Sequence, residues 1–384
     1  MIDNFDLKQL VEPLQNWFKR NARVLPWREN PTAYYVWISE IMLQQTRVEA
    51  VKPYFDRFIK ELPDVKSLAE CPEDKLLKLW EGLGYYNRVR NLKIAANQII
   101  EKYDGEIPSE YDELLKLKGI GHYTAGAISS IAYGKAVPAV DGNVLRVISR
   151  VTADDSDIMR QSVRNHMEEC LYKIMNNVQE VNPSVFNQAL MELGATVCLP
   201  NGAPRCEVCP WGDICEARKQ NRIAELPVKQ KAKKRRIEEK TVLIVKDGEK
   251  LALHKRPAKG LLAGLYELPN VEGYLTENEI IDYIKGEGYQ PIRIQPICDA
   301  KHIFSHVEWH MKGYVVFLQA QGYEKDANQV DTNNAEETQH EDWLFVDVEE
   351  TKEKYAIPSA FAKYTEYLNL VIGKDAIVSS DKVQ

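Results

Sequence analysis

No apolar run in this 384-residue chain approaches the roughly 18–20 residues that a helical membrane span needs, which argues against a membrane protein. The opening, MIDNFDLKQLVEPL, is acidic and lacks the basic-then-apolar order of a secretory signal, so a cytoplasmic location is expected. Positive charge is outnumbered: 50 Lys/Arg stand against 57 Asp/Glu, a net charge of −7, at first sight wrong for a nucleic-acid ligand. There is no internal repeat and no low-complexity segment beyond one short basic stretch. What is present is ordinary: 44% apolar and 28% charged residues, a folded rather than a disordered composition. The length accommodates two or three domains.

The charge deficit is local. Residues 1–240 hold 35 Lys/Arg against 33 Asp/Glu, and residues 241–384 hold 15 against 24. The first two-thirds can therefore present a basic face to phosphates, which permits DNA binding without demonstrating it. Texture changes at the same place. Apolar residues recur at three- and four-residue steps over 7–20, 34–48, 51–60, 73–80, 88–103, 111–118, 122–133 and 142–151, predicting helices with Gly, Pro or Asp at the joints. After LPVKQKAKKRRIEEK come short β-type runs, TVLIV at 241–245, KLALHKR at 250–256 and YVVFLQA at 314–320. The expected organisation is a helical domain over 1–225, a basic linker over 226–238, a smaller α+β domain over 239–365 and a poorly ordered tail over 366–384.

Four of the seven cysteines, Cys198, Cys206, Cys209 and Cys215, fall in CLPNGAPRCEVCPWGDIC. In a chain without an export signal such clustering points to metal rather than to disulfides. Zinc sites commonly offer two separated C-x-x-C pairs, and only Cys206 and Cys209 are so spaced. One compact loop giving four thiolates suits a [4Fe–4S] cube better; zinc, or free buried cysteines, stay open as alternatives. Cys71, Cys170 and Cys298 read as ordinary core or surface residues. The segment resembles the cluster loop of the endonuclease III and adenine glycosylase family. There the usual spacing is six, two and five residues; here it is seven, two and five, with the extra residue in the Pro/Gly-rich stretch between Cys198 and Cys206.

LKGIGHYTAGAI at 117–128 sets Gly119 and Gly121 between two helical segments. Glycine permits a tight turn, and the N–H groups at the next helix start can hold a phosphate. Asp141 follows in AVPAVDGNVLRVISR, at a helix start. By itself it reads as an N-cap. The order hairpin, aspartate, cysteine loop resembles the helix-hairpin-helix DNA glycosylases over roughly residues 15–220. The resemblance implies that Asp141 lies beside the sugar of a flipped nucleotide and opposes positive charge developing at C1′.

Relatives that also cut the strand carry a lysine two residues beyond the second hairpin glycine; here that place is Tyr123, and Lys118 lies on the other side of the turn. Monofunctional hydrolysis is therefore expected, without a Schiff base. Glu40, in YYVWISEIMLQQTRV, shares an apolar helical stretch with Trp37 and Ile41. A glutamate there ordinarily makes a salt bridge or reaches solvent. WISEIMLQQT, however, closely resembles the catalytic helix of the MutY-type adenine glycosylase branch, where the glutamate is the proton donor; an apolar pocket raises a carboxyl pKa as such a donor requires. The resemblance further implies an adenine pocket lined by Trp27, Arg28 and Gln188. It implies DNA contacts from Gln45, Thr46, Gly119 and Gly121, and a wedge loop at Leu83, Gly84 and Tyr85. An endonuclease III-like pyrimidine glycosylase/lyase and a non-catalytic damage-binding protein stay open as rival readings.

The C-terminal part resembles the MutT-like (Nudix) fold in the form appended to adenine glycosylases. GLLAGLYELPN at 260–270 is similar to its entry, but the R-E-x-x-E-E magnesium box is absent and VEGYLTENEIIDYIKGEGY stands there instead. Binding rather than hydrolysis is expected, which disfavours a nucleotide pyrophosphatase. Phe304, Ser305 and His306 match the family loop that reads 8-oxoguanine. Metal binding by His302, His306 and His310 is the weaker reading, and His122, His166, His254 and His340 show no partner in the sequence. The expected fold is thus multidomain: an all-α helix-hairpin-helix glycosylase domain with an iron–sulfur loop, then a small α+β Nudix-like domain. The expected ligand is double-stranded DNA with adenine opposite 8-oxoguanine or guanine, bound by a monomer.

Overall fold

The structure is a computed structural model, and it describes residues 2, 5–230, 234–319 and 343–370. Two compact units emerge: one from residues 1–71 and 87–232, the other from residues 72–86 and 233–384. Most of the expected tail lies outside the described residues.

The first unit is helical. Its core joins Val11–Asn21, Gly142–Val151, Gln161–Asn177 and Pro183–Thr196 through Leu14, Phe18, Leu145, Ile148, Leu171 and Leu190. The last two long helices were not foreseen. Gln161–Asn177 buries only a narrow stripe, Met167, Leu171, Ile174 and Met175, so its periodicity is weak. Pro183–Thr196 carries the start signals of an Asn182 side-chain cap and proline at the first turn.

Two expected helices are shorter than their apolar patterns. The Ala33–Leu43 helix ends early, and Gln45 takes φ +59° before a new helix begins at Val48. The cause is Arg88, whose Nη1 donates to the carbonyls of Ile41, Met42 and Gln44 at 2.7, 3.0 and 2.7 Å. That guanidinium satisfies carbonyls that a continuing helix would need. In the hairpin, regular helix covers Tyr111–Leu114, then a turn, then His122–Ala127, which continues as one wide turn over Ile128–Ala132.

The second unit is built on a mixed sheet in the order β3-β2-β1-β6-β5, with β4 paired to β1 and β7 to β2. Here β1 is Arg236–Asp247, β2 Lys250–Lys255, β3 Tyr266–Glu267, β4 Asn270–Glu272, β5 Pro291–Ile303, β6 Val307–Leu318 and β7 Leu344–Asp347. Central β1 runs parallel to β6 and is covered on both faces, which explains the unbroken apolar run TVLIV. Val242 and Ile244 face Trp309, Met311 and Phe361. Leu243 and Val245 face Ile280 and Ile284 of the Glu277–Gly286 helix. The first turn of that helix uses Glu279 in a capping box with Thr276, so that carboxylate serves a backbone cap.

Candidate active site

Glu40 lies on the Ala33–Leu43 helix and is 6% exposed. The Tyr123 hydroxyl donates to its Oε2 at 2.5 Å and stands 3.6 Å from the Met191 sulfur. Burial pushes the Glu40 carboxyl up to about 7; the Tyr123 hydrogen bond and the Arg28 charge oppose this, while Asp141 adds to it. The outcome is an acid that is substantially protonated near neutral pH. Tyr123 itself is pushed well above the ordinary phenol range by burial and by the two carboxylates, so it stays neutral.

Asp141 is the N-cap of Gly142–Val151. Its Oδ1 accepts from the N–H groups of Asn143 and Val144 at 2.9 and 2.8 Å, and its Oδ2 from Asn143 Nδ2 at 2.6 Å. The capping role and a chemical role therefore coexist: the cap fixes the carboxylate at a helix start, where the dipole favours negative charge. Arg146 Nη2 donates to Asn143 Oδ1 at 2.9 Å, and its Nε to the Cys198 carbonyl at 3.0 Å, so this corner is tied to the cysteine loop.

The backbone leading to Asp141 is held by Asn187, which is fully buried. Its Nδ2 donates to Ser130 Oγ and the Val137 carbonyl, both at 2.8 Å, and its Oδ1 accepts from Ala139 N–H at 3.1 Å. Gly126 lets the hairpin helix press on the Pro138 carbonyl, where any side chain would collide. Of the two glycines singled out in the sequence, Gly119 needs its place most: φ is +78°, and a Cβ there would lie 2.6 Å from Asn91 Cβ. Gly121 is the N-cap of His122–Ala127.

Tyr123, Asp141 and Arg28 thus all act on Glu40, whereas other expected pocket residues have different partners. Trp27 is buried, edge-on to Phe55 at 5.4 Å between ring centres. Gln188 is half-buried and donates to Ser184 Oγ at 3.2 Å. Gln45 is exposed, Thr46 is half-buried, Leu83 is buried, and Gly84 and Tyr85 have φ of +71° and +49°, with the Tyr85 ring at the surface. Sequence reasoning missed Asn143, Arg146, Asn187 and Glu192. Asn143 and Arg146 stand two and five residues beyond Asp141, and Asn187 adjoins Gln188, so spacing was the available signal.

Cys198, Cys206, Cys209 and Cys215 line one cavity with Arg150, Gly212 and Arg218. Burial pushes the Cys209 thiol up to about 12 and also raises Cys206 and Cys215. Such buried sulfurs become thiolates only beside compensating positive charge. Arg150 Nη1 donates to Cys198 Sγ at 3.3 Å. Trp211 anchors the loop by donating to the Leu10 carbonyl at 3.1 Å. Among the described residues no three Cys, His, Asp or Glu side chains gather as around a single ion. The four sulfurs around one cavity form a soft donor set of the kind that metals take. Of the remaining cysteines, Cys71 is buried, Cys170 half-buried and Cys298 exposed.

In the second unit Phe304 packs against His302 and Trp309, with ring centres 4.6 and 4.9 Å apart. Ser305 and His306 are exposed at the turn joining β5 to β6. Arg235 Nε donates to the Phe304 carbonyl at 3.1 Å, and Arg236 N–H to that of His306 at 3.2 Å. His310 pairs with Glu308 at 2.6 Å. Two histidines without a partner in the sequence have one here: His122 Nδ1 with the Tyr111 hydroxyl at 2.7 Å, and His254 with Glu267 at 3.4 Å. His166 lies 3.8 Å from the Cys170 sulfur, and His340 is outside the described residues. Among the described residues no helix is long and apolar enough to cross a membrane.

The profile of the HhH-GPD superfamily base excision DNA repair proteins matches residues 38–173, and that of the NUDIX domain matches residues 241–367. An adenine DNA glycosylase of Buchnera aphidicola is 34% identical over 77% of this chain and 82% of its own. The adenine DNA glycosylase of Rattus norvegicus is 32% identical over 83% of this chain and 72% of its own. Among solved structures, that of a thermostable thymine-DNA glycosylase aligns with 56% of this chain and 96% of its own, at 28% identity and a TM-score of 0.49. With its helical HhH-GPD domain followed by an α+β NUDIX domain, the chain belongs to the adenine DNA glycosylases of base excision repair, enzymes that hydrolyse N-glycosidic bonds.

Proposed function

We propose that the enzyme removes adenine paired with 8-oxoguanine, or with guanine, from double-stranded DNA, with Glu40 as general acid and Asp141 as the stabiliser of positive charge on the sugar. The observation that carries this reading is the unequal treatment of two neighbouring carboxylates. Glu40 is buried and holds its proton up to about pH 7, while Asp141 is fixed by three hydrogen bonds at a helix N-terminus. Adenine leaves poorly as an anion, and protonation of a ring nitrogen makes it a good leaving group. Because Tyr123 donates to Oε2 of Glu40, the transferable proton belongs on Oε1. As the glycosidic bond lengthens, positive charge grows at C1′ beside Asp141, where a fixed carboxylate lowers the barrier. Water completes the hydrolysis. Tyr123 offers no amine, so the reaction is monofunctional.

The base must be flipped out of the duplex, with Trp27, Arg28 and Gln188 lining its pocket. Gln45, Thr46, Gly119, Gly121 and the Leu83–Gly84–Tyr85 loop are assigned to the DNA. Cys198, Cys206, Cys209 and Cys215 would hold a [4Fe–4S] cluster, which when bound supplies a cross-link for the loop. The exposed Ser305 and His306, beside Phe304, are assigned to the oxidised base, whose N7–H and O8 offer groups that guanine lacks. We propose two domains, 1–225 and 239–365, joined by residues 226–238, of which the last three already belong to β1 and so to the second domain, and a monomer as the working form. The direct test is incubation with a duplex carrying one adenine opposite 8-oxoguanine. Free adenine without strand scission is expected, and release of a pyrimidine with a nicked strand would overturn the reading.

A further inference from the structure

Glu192 gathers two arginines, one of which, Arg28, acts on Glu40. Its side chain has 0% exposure. It accepts from Arg23 N–H at 3.2 Å, from Arg23 Nε and Nη2 at 2.6 and 3.1 Å, and from Arg28 Nη2 at 2.9 Å. Arg28 is held further by its Nη1 on the Arg23 carbonyl at 3.2 Å and by the Phe18 ring, whose centre is 5.3 Å from the guanidinium. Burial pushes the Glu192 carboxyl up, but the Arg23 hydrogen bond and the Arg28 charge outweigh it and hold the group below the usual range. One negative and two positive charges are thus confined together. A buried ion cluster is a weak source of stability, so a task in the site is the better reason for it.

The titratable and charged groups that act on Glu40 are Tyr123 from the hairpin helix, Asp141 from the start of the Gly142 helix, and Arg28 from the Pro26–Glu29 turn. Glu192 is not among them, but it accepts from Arg28, which is. We propose that Glu192 is a positioning residue for the general acid: it pins Arg28 and cancels one of the two arginine charges, so that the proton Glu40 must deliver is not driven off. The inference rests on the assignment of Glu40 as the acid.

The sign follows from charge. A cation near a carboxyl favours the ionised form. In Glu192→Gln, Arg28, with 17% side-chain exposure, stays on Phe18 and the Arg23 carbonyl, while Arg23, at 32%, can turn to solvent. The pull of Arg28 on Glu40 is then uncompensated, and Glu40 ionises at lower pH. Arg28→Gln removes that pull, and Glu40 ionises at higher pH.

The test is the pH profile of single-turnover adenine excision by the full chain. Glu192→Gln moves the alkaline limb down by about half a pH unit, as an opposite charge acting at one remove should. Arg28→Gln moves it up, and the double variant matches Arg28→Gln because Glu192 acts only through Arg28. If Glu192→Gln does not fold, Arg23→Gln carries the test: Glu192 then neutralises Arg28 alone and the limb moves up. A 13C carboxyl titration of Glu40 in the DNA-free protein, assigned against Glu40→Gln, must shift with the same signs. Because it needs no substrate, it still reads the inference if the chain excises no adenine. A limb or titration that stays in place in Glu192→Gln, or moves up, overturns the proposal, as does one that stays or moves down in Arg23→Gln.

Discussion

The helical unit and the sheet unit hold their candidate chemistry in opposite ways. Glu40 is 6% exposed, with a tyrosine hydroxyl on one oxygen, and its proton affinity is a product of that burial. Ser305 and His306 stand exposed on a hairpin turn, with only the neighbouring backbone fixed by Arg235 and Arg236. The difference teaches what each task requires. Proton transfer needs a desolvated group with a displaced pKa. Reading an edge of DNA needs polar groups left open for the partner to satisfy. Disturbing the first should change rates steeply, and disturbing the second should change choice mildly.

The largest effect is expected at the carboxylates. Glu40→Gln and Asp141→Asn should each slow single-turnover excision at saturating enzyme by at least about a hundredfold, the usual consequence of losing an acid or a charge stabiliser. Both should still bind the mismatched duplex in a gel-shift assay, because phosphate contacts are untouched. A variant that excises at close to the wild-type rate would remove its residue from the mechanism and erase the contrast between the units.

Burial of an acid also leaves a mark on stability. The folded Glu40 carboxyl titrates at about 7, above its ordinary 4.5. The stability it contributes is therefore complete below about pH 4.5 and is lost as pH rises through about 7. By linkage the loss is about 3 kcal/mol. Glu40→Gln carries no such penalty, so chemical denaturation should find it more stable than wild type at pH 8.5, with the gap closing toward pH 5. An equal gap at both pH values would show that Glu40 is not desolvated as described.

The smallest effect belongs to the exposed turn. Ser305→Ala combined with His306→Ala should lower the preference for adenine opposite 8-oxoguanine over adenine opposite guanine. Each lost hydrogen bond contributes about 0.5–1.5 kcal/mol, so the ratio of subsaturating excision rates should fall severalfold. The catalytic step at saturation should stay nearly constant. An unchanged ratio would move discrimination into the helical unit.

Much of this was legible in the sequence, because local pattern and local chemistry agreed. The unbroken TVLIV run is a strand buried on both faces, and Asp141 before Gly142 is an N-cap at the observed helix start. The break after Leu43 was not legible, since it depends on Arg88 from a distant helix taking three carbonyls. Glu192 and Asn187 were hidden for a related reason. Their roles lie in partners about 50 to 170 residues away, and a buried polar residue on an apolar helix leaves no periodic signal of its partners. Gly126 was passed over in favour of the more conspicuous Gly-x-Gly, though the backbone of Pro138 presses directly on it.

The central claim is that Glu40 gives a proton, and the pH dependence of single-turnover adenine excision from a duplex with one adenine opposite 8-oxoguanine tests it most directly. The account requires a rate that is level on the acid side and falls tenfold per pH unit above about 7, where the buried Glu40 carboxyl loses its proton. In Glu40→Gln the residual rate should show no such limb. A wild-type rate that stays level or rises between pH 7 and 9 would contradict it.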